Sequence, residues 1–118
     1  MREVKLIQFS CENHEKIDIM MKKMQKLRIN DEIQDSLIFV EHPEIVTIGP
    51  KARKDNILPP DDYPRKFVDR GGGITWHGPG QLVVYPIFKW NLNDETDIKK
   101  IIHKLEEWVI ISFSDLGI

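Results

Sequence analysis

The chain has 118 residues, 41% of them hydrophobic and 31% charged, with a formal net charge of -2. This suits one soluble compact domain at the small end of the usual range, and the near-neutral balance argues against nucleic-acid binding, which calls for a basic excess. No run approaches the ~20 apolar residues of a membrane span, and the opening MREVKLIQFSCENHE carries charges where a secretory signal is apolar, so a cytoplasmic protein that binds no membrane is expected.

The single cysteine, Cys11, allows no internal disulfide, which fits a reducing compartment. Residues 3–9, EVKLIQF, alternate as a short strand does. From Asn13 to about Arg28, Ile17, Met20, Met21, Met24 and Leu27 recur at intervals of three and four and form one apolar helix stripe. Lys22, Lys23, Lys26 and Arg28 gather in the same helix, as a solvated face or as a docking face for an acidic partner. Ser36–Glu41 is a β-branched and aromatic run that suits a strand buried on both faces, and Ile45–Ile48 resumes extended structure after His42-Pro43.

Lys51–Arg65 is polar with three prolines and reads as a surface loop with at most a short helical turn. Phe67–Arg70 is expected as a strand leading into glycines, and Leu82–Phe88 as a strand that Pro86 confines to an edge, an end or a bulge. Asn93-Asp94 or Thr96 is expected to cap a helix in which Ile98, Ile101, Ile102, Leu105, Trp108, Val109 and Phe113 keep helical spacing, with Gly117 as its stop. The order β, α, β, β, loop, β, glycine turn, β, α predicts a single α/β domain, a mixed sheet with helices packed on it, and not a doubly wound nucleotide fold. Because the last residues end a helix where a strand would commonly follow, the sheet is expected to be incomplete at the C-terminus.

Residues 70–81, RGGGITWHGPGQ, hold five of the seven glycines. Glycine serves where φ is positive or where the main chain lies against a ligand with no Cβ between. The run is therefore either a connection with unusual φ angles or a backbone cradle for a carbonyl or phosphate oxygen. It lacks the GK[ST] of a P-loop, and a strand follows it where a dinucleotide fingerprint needs a helix. His77 shares a face with Thr75 and Gly73 if the segment is extended, which makes it a pocket candidate. His14, His42 and His103 lie in different elements without metal-ligand spacing. Cys11-Glu12-Asn13-His14 puts a thiol near an imidazole with no orienting group and reads as incidental.

RGGGITWHGPGQLVVY resembles the signature of the octanoyltransferases of lipoate biosynthesis, nearly residue for residue over a dozen positions. Val40-Glu41-His42-Pro43, Thr47-Ile48-Gly49, Leu105-Glu106-Glu107 and Leu116-Gly117-Ile118 extend the likeness over almost the whole chain. Lipoate-protein ligases follow the histidine with Asp and a Gly-Asn pair, where this chain has Gly78-Pro79-Gly80-Gln81. The ATP-using ligase is thus disfavoured. The resemblance implies a lipoate/biotin protein ligase-like fold and transfer of an octanoyl group, without cofactor or metal. The donor it implies is octanoyl-acyl carrier protein. The acceptors are lysines of the lipoyl domains of 2-oxoacid dehydrogenases and of the glycine cleavage H protein. It also implies that Arg70, Gly71, Gly72, Gly73, Ile74, Thr75, Trp76 and His77 line the substrate pocket.

Members of that family carry the acyl group on a cysteine beside an activating lysine, both in their C-terminal half. Neither has a counterpart here, and Cys11 does not match. Three arrangements satisfy this: a split enzyme whose separately encoded C-terminal subunit brings both residues, an inactive remnant, or a non-catalytic module that binds acyl groups or their carrier.

Overall fold

The computed structural model describes residues 2–70 and 72–118, which fall into two compact units that meet in sequence between Phe88 and Lys89. The first unit holds β1 (Val4–Cys11), α1 (His14–Ile29), β2 (Asp35–Glu41), β3 (Ile45–Ile48), α2 (Pro50–Lys54), β4 (Arg65–Phe67), β5 (Ile74–His77) and β6 (Val83–Ile87). Its strands form two mixed sheets of three. In one, β2 is central, parallel to β1 and antiparallel to β6; in the other, β3 is central, parallel to β4 and antiparallel to β5.

Helix α1 starts where Asn13 accepts hydrogen bonds from the Glu15 and Lys16 amides, at 2.8 and 3.4 Å. That satisfies donors the first turn leaves open. Its apolar stripe supplies Ile17 and Met21, which pack with Ile38, Val40 and Ile87 as the main core, flanked by Met20 and Met24. Full burial of such side chains contributes about 1.5–3 kcal/mol each. The basic cluster is partly neutralised within the chain. Lys22 pairs with Asp18 at 3.3 Å, and Arg28 binds Asp31 at 3.1 Å and Asp35 at 2.5 Å. Arg2 also binds Asp35, so this buried carboxylate joins the segment before β1, the end of α1 and the start of β2.

Two strands depart from the sequence expectation. The expected strand at Phe67–Arg70 lies earlier, at Arg65–Phe67, because its partner β3 runs out: after Val68 donates to Ile48, Gly49-Pro50 turns into α2. Pro50 suits that helix start, since the N–H it lacks would be unpaired there anyway. The glycine run was expected as a turn, yet its centre, Ile74–His77, is a strand. This β-branched and aromatic segment finds a ladder on β3, pairing Thr47 with Thr75 and Val46 with Trp76. β6 is an edge strand, which accommodates Pro86.

In the second unit α3 (Ile98–Asp115) is capped by Asp97, not by Asn93, Asp94 or Thr96; the Asp97 carboxylate accepts from the Lys100 amide at 2.9 Å. Trp90 stacks on Trp108 with centroids 6.4 Å apart, and Lys104 bridges Asp94 and Glu95 at 2.7 and 2.8 Å. Ile98, Ile102, Val109 and Phe113 are exposed. Gly117 ends the helix with φ +77°.

Candidate functional site

The sheet built on β3 is polar on one face. Thr47 faces Thr75 and Lys66, and Ile45 faces His77, while Val46, Ile48, Ile74, Trp76 and Phe67 point the other way. Lys66 is drawn to α1, pairing with Glu15 and Asp18 at 2.5 and 3.3 Å. On this polar face lies a cavity of about 240 Å³ lined by Thr47, Gly49, Val68, Arg70, Gly73, Thr75, His77 and Tyr85.

The glycines create the cavity edge by close approach. The Gly49 amide donates to the Gly73 carbonyl at 2.9 Å, and a Cβ on Gly49 would lie 2.3 Å from the Gly72 oxygen. Gly72 itself has φ +111°, a conformation side chains rarely adopt. Gly78-Pro79-Gly80-Gln81 closes as a turn, with Gln81 donating to the Gly78 carbonyl at 3.1 Å and Gly80 at φ +90°. Proline in second place and a positive-φ glycine in third are the residues a type II turn requires. Glu41 accepts from the Gly80 amide at 2.6 Å and ties the turn to the end of β2.

That turn sets the state of His77. Its Nδ1 lies 2.6 Å from Gln81 Oε1, while Gln81 Nε2 donates to the Trp76 carbonyl at 3.2 Å. The amide oxygen can only accept, so Nδ1 carries a proton, and in the neutral ring Nε2 is the atom with the lone pair. His42 has the same tautomer: Nδ1 donates to the Glu12 carbonyl at 2.7 Å, and Nε2 accepts from the Tyr85 hydroxyl at 2.9 Å. Burial, then the neighbouring His77 and Arg70, lower the His42 pKa against the pull of the Glu12 bond. Burial likewise raises the Tyr85 pKa, so the phenol stays protonated and donates.

His14, the first residue of α1, completes a three-imidazole cluster. Its ring centroid is 5.1 Å from that of His42 and 6.0 Å from that of His77, the latter nearly parallel at 23°. Arg70 Nη2 lies 3.0 Å from His14 Nε2, and the Arg70 guanidinium carbon lies 5.8 Å from the centre of the Tyr85 ring. Among the described residues no group of three or more His, Cys, Asp and Glu is placed to hold a metal ion.

Of the sequence candidates, Arg70, Gly73, Thr75 and His77 come together at this cavity. Ile74 and Trp76 lie on the opposite face of β5, half-exposed, with Trp76 bonded to Glu44 at 3.2 Å. Gly72 shapes the edge through its carbonyl, and Gly71 falls outside the described residues. Sequence reasoning missed Thr47 and Tyr85 as cavity residues and set His14 and His42 aside. Cys11 is exposed and does not line the cavity.

Over residues 18–118 the sequence matches the family model described as lipoyl protein ligase A/B catalytic domain. The chain belongs to that family. Curated relatives named octanoyltransferase include those of Corynebacterium glutamicum (strain R), 46% identical over 77% of this chain and 35% of the relative, and Caldicellulosiruptor bescii, 44% identical over 80% and 43%. The relative from Rickettsia prowazekii is 43% identical over 76% of this chain and 44% of its own length. The chain thus spans less than half the length of these curated relatives. Of the groups lining the cavity, Arg70 and the Thr75 hydroxyl offer donors, while the Tyr85 and Thr47 hydroxyls already donate to His42 and to the Thr75 carbonyl.

Proposed function

We propose that this chain supplies the acyl pocket of an octanoyltransferase that moves an octanoyl group from acyl carrier protein to the lysine of lipoyl domains. The observation that carries this is the convergence of Arg70, Gly73, Thr75 and His77 from the glycine run on one cavity with Tyr85. Arg70 and the Thr75 hydroxyl hold the thioester carbonyl, while the glycine backbone lets it approach the main chain. The octanoyl tail binds through apolar burial, at ~0.8 kcal/mol per CH₂.

Acyl transfer between a thioester and an amine through an enzyme thiol needs a good sulfur nucleophile and a nearby cation to lower its pKa. Exposed Cys11 is not that thiol. The family's cysteine and lysine come instead from polypeptide beyond these residues, either a separately encoded subunit or the rest of a longer chain. The donor is octanoyl-acyl carrier protein, and the acceptors are the lipoyl domains of 2-oxoacid dehydrogenases and the glycine cleavage H protein. Residues 1–118 correspond to the N-terminal half of the catalytic domain, and the site of action is the cytoplasm.

The test is intact-mass spectrometry of an apo lipoyl domain incubated with octanoyl-acyl carrier protein and this chain, with and without a candidate C-terminal polypeptide. A mass gain of one octanoyl group only when both polypeptides are present supports the reading. Acylation by this chain alone, lost in Cys11→Ala, overturns the assignment of the nucleophile. No acylation with any family C-terminal half makes the chain a remnant or a binding module.

A further inference from the structure

Arg70 is the one cationic side chain lining the cavity, and among the described residues no carboxylate lies within ion-pairing distance of it. Its hydrogen-bond partner is instead an imidazole, His14 Nε2 at 3.0 Å. A guanidinium has no acceptor site, so it must donate, and His14 Nε2 must be unprotonated. The remaining proton of the neutral ring then sits on Nδ1. That atom is buried, on a residue 3% exposed, and has no hydrogen-bond partner.

An orphaned buried N–H is destabilising, so the sequence holds His14 here against a local cost. The ring is also closely held: His42 and His77 pack at 5.1 and 6.0 Å, and Asn13 fixes the helix start directly before it. We propose that His14 is a positioning residue for Arg70, anchoring the guanidinium at the cavity wall while leaving its positive charge uncompensated for an electron-rich acyl oxygen. The significance for acyl binding rests on the octanoyltransferase reading; the anchoring does not.

The choice of side chain is what the chemistry requires. An unanchored arginine spreads over many rotamers, and a carboxylate anchor would hold it but cancel its charge. A neutral imidazole accepts one N–H and leaves the other guanidinium donors and the full charge available. The face of Tyr85, 5.8 Å from the guanidinium carbon, adds a second restraint that also carries no formal charge.

Three variants separate the elements of this proposal: His14→Phe removes the acceptor, His14→Gln keeps one, and His14→Asp keeps one but adds a negative charge. In the free protein, nitrogen NMR of the Arg70 guanidinium reads the anchoring: restricted rotation is expected in the wild type, His14→Gln and His14→Asp, and averaged signals in His14→Phe. Calorimetric titration with an octanoyl-amide analogue of the pantetheine thioester reads the consequence. Binding about tenfold weaker is expected in His14→Phe and His14→Asp, with recovery in His14→Gln.

Urea midpoints keep folding apart from function, because a purely structural histidine would make affinity follow stability across all three variants, and that result would overturn the proposal. Unchanged Arg70 signals in His14→Phe would overturn it too. If His14→Phe fails to fold, His14→Asp decides: full binding there refutes the need for an uncompensated charge. If the wild type does not bind the analogue while the Arg70 signals divide as expected, the octanoyl reading fails and the anchoring stands.

Discussion

The Tyr85 hydroxyl donates to His42 Nε2 at 2.9 Å, and His42 in turn donates through Nδ1 to the Glu12 carbonyl at 2.7 Å. This relay links β6, the segment after β2, and the segment between β1 and α1, so the cavity wall is tied to the strands of the main core. His42 is fully buried, and without the hydroxyl its Nε2 would have no partner in reach of water.

Tyr85→Phe should therefore cost about 1–2 kcal/mol, the penalty of one buried acceptor left unmade. Urea denaturation at pH 7 measures it. A change within error would mean that water replaces the hydroxyl and that the relay contributes no stability.

Gly49 and Gly73 make opposite predictions. A methyl on Gly49 meets the Gly72 backbone at 2.3 Å, whereas one on Gly73 meets nothing within 4 Å. Gly49→Ala should destabilise by about 1–3 kcal/mol as the backbone is forced apart. Gly73→Ala should stay within about 0.5 kcal/mol of the wild type and weaken binding of an octanoyl-amide probe, because the methyl occupies open space at the cavity wall. Equal stability losses in the two variants would remove the argument that close approach explains Gly49.

Acid should weaken the fold through His14. Burial, then Lys66, Arg70 and His42, lower its pKa from 6.5 to about 4, with Asp18 opposing. His42 is lowered in the same direction, while nearly parallel to His14 lies His77. Between those pH values the unfolded chain binds the proton and the folded chain does not, so stability is full above about pH 6.5 and is lost as pH falls toward 4. From pH 7 to pH 5 the His14 share is about 2 kcal/mol. Urea midpoints at both pH values should fall less for His14→Phe than for the wild type; equal falls would assign the acid sensitivity elsewhere.

The helices and the core were legible because their signal is local. The Ile17–Met21–Met24 stripe and the β-branched run of β2 each declare a buried face by spacing alone, and both pack as expected. The placement of β4 and the strand within the glycine run were less so, since both depend on where β3 offers a ladder, which is a tertiary fact. The glycine motif marked the cavity, yet Tyr85, which lines it, and His14 and His42, which bond its lining residues Arg70 and Tyr85, come from positions far apart in sequence. The two histidines are polar rings at a helix start and a strand end, and Tyr85 is one aromatic within a strand, patterns too frequent to single them out. His42 lay inside a quoted family segment and could have been found there.

Gln81 should decide the tautomer of His77 and with it the cavity's acceptor. Its Oε1 takes the Nδ1 proton at 2.6 Å, and the turn that holds Gln81 is fixed by Gly80 at φ +90° and by Glu41. An unrestrained histidine favours the other tautomer, with the proton on Nε2. Gln81→Leu keeps the side-chain size but removes the acceptor, so His77 should shift toward Nε2–H and present a donor where the wild type presents a lone pair. Nitrogen NMR of the imidazole reads this directly, as the protonated and unprotonated ring nitrogens resonate far apart. An unchanged Nδ1–H form in Gln81→Leu would mean that another group holds the ring, and the turn would then serve only to connect β5 to β6.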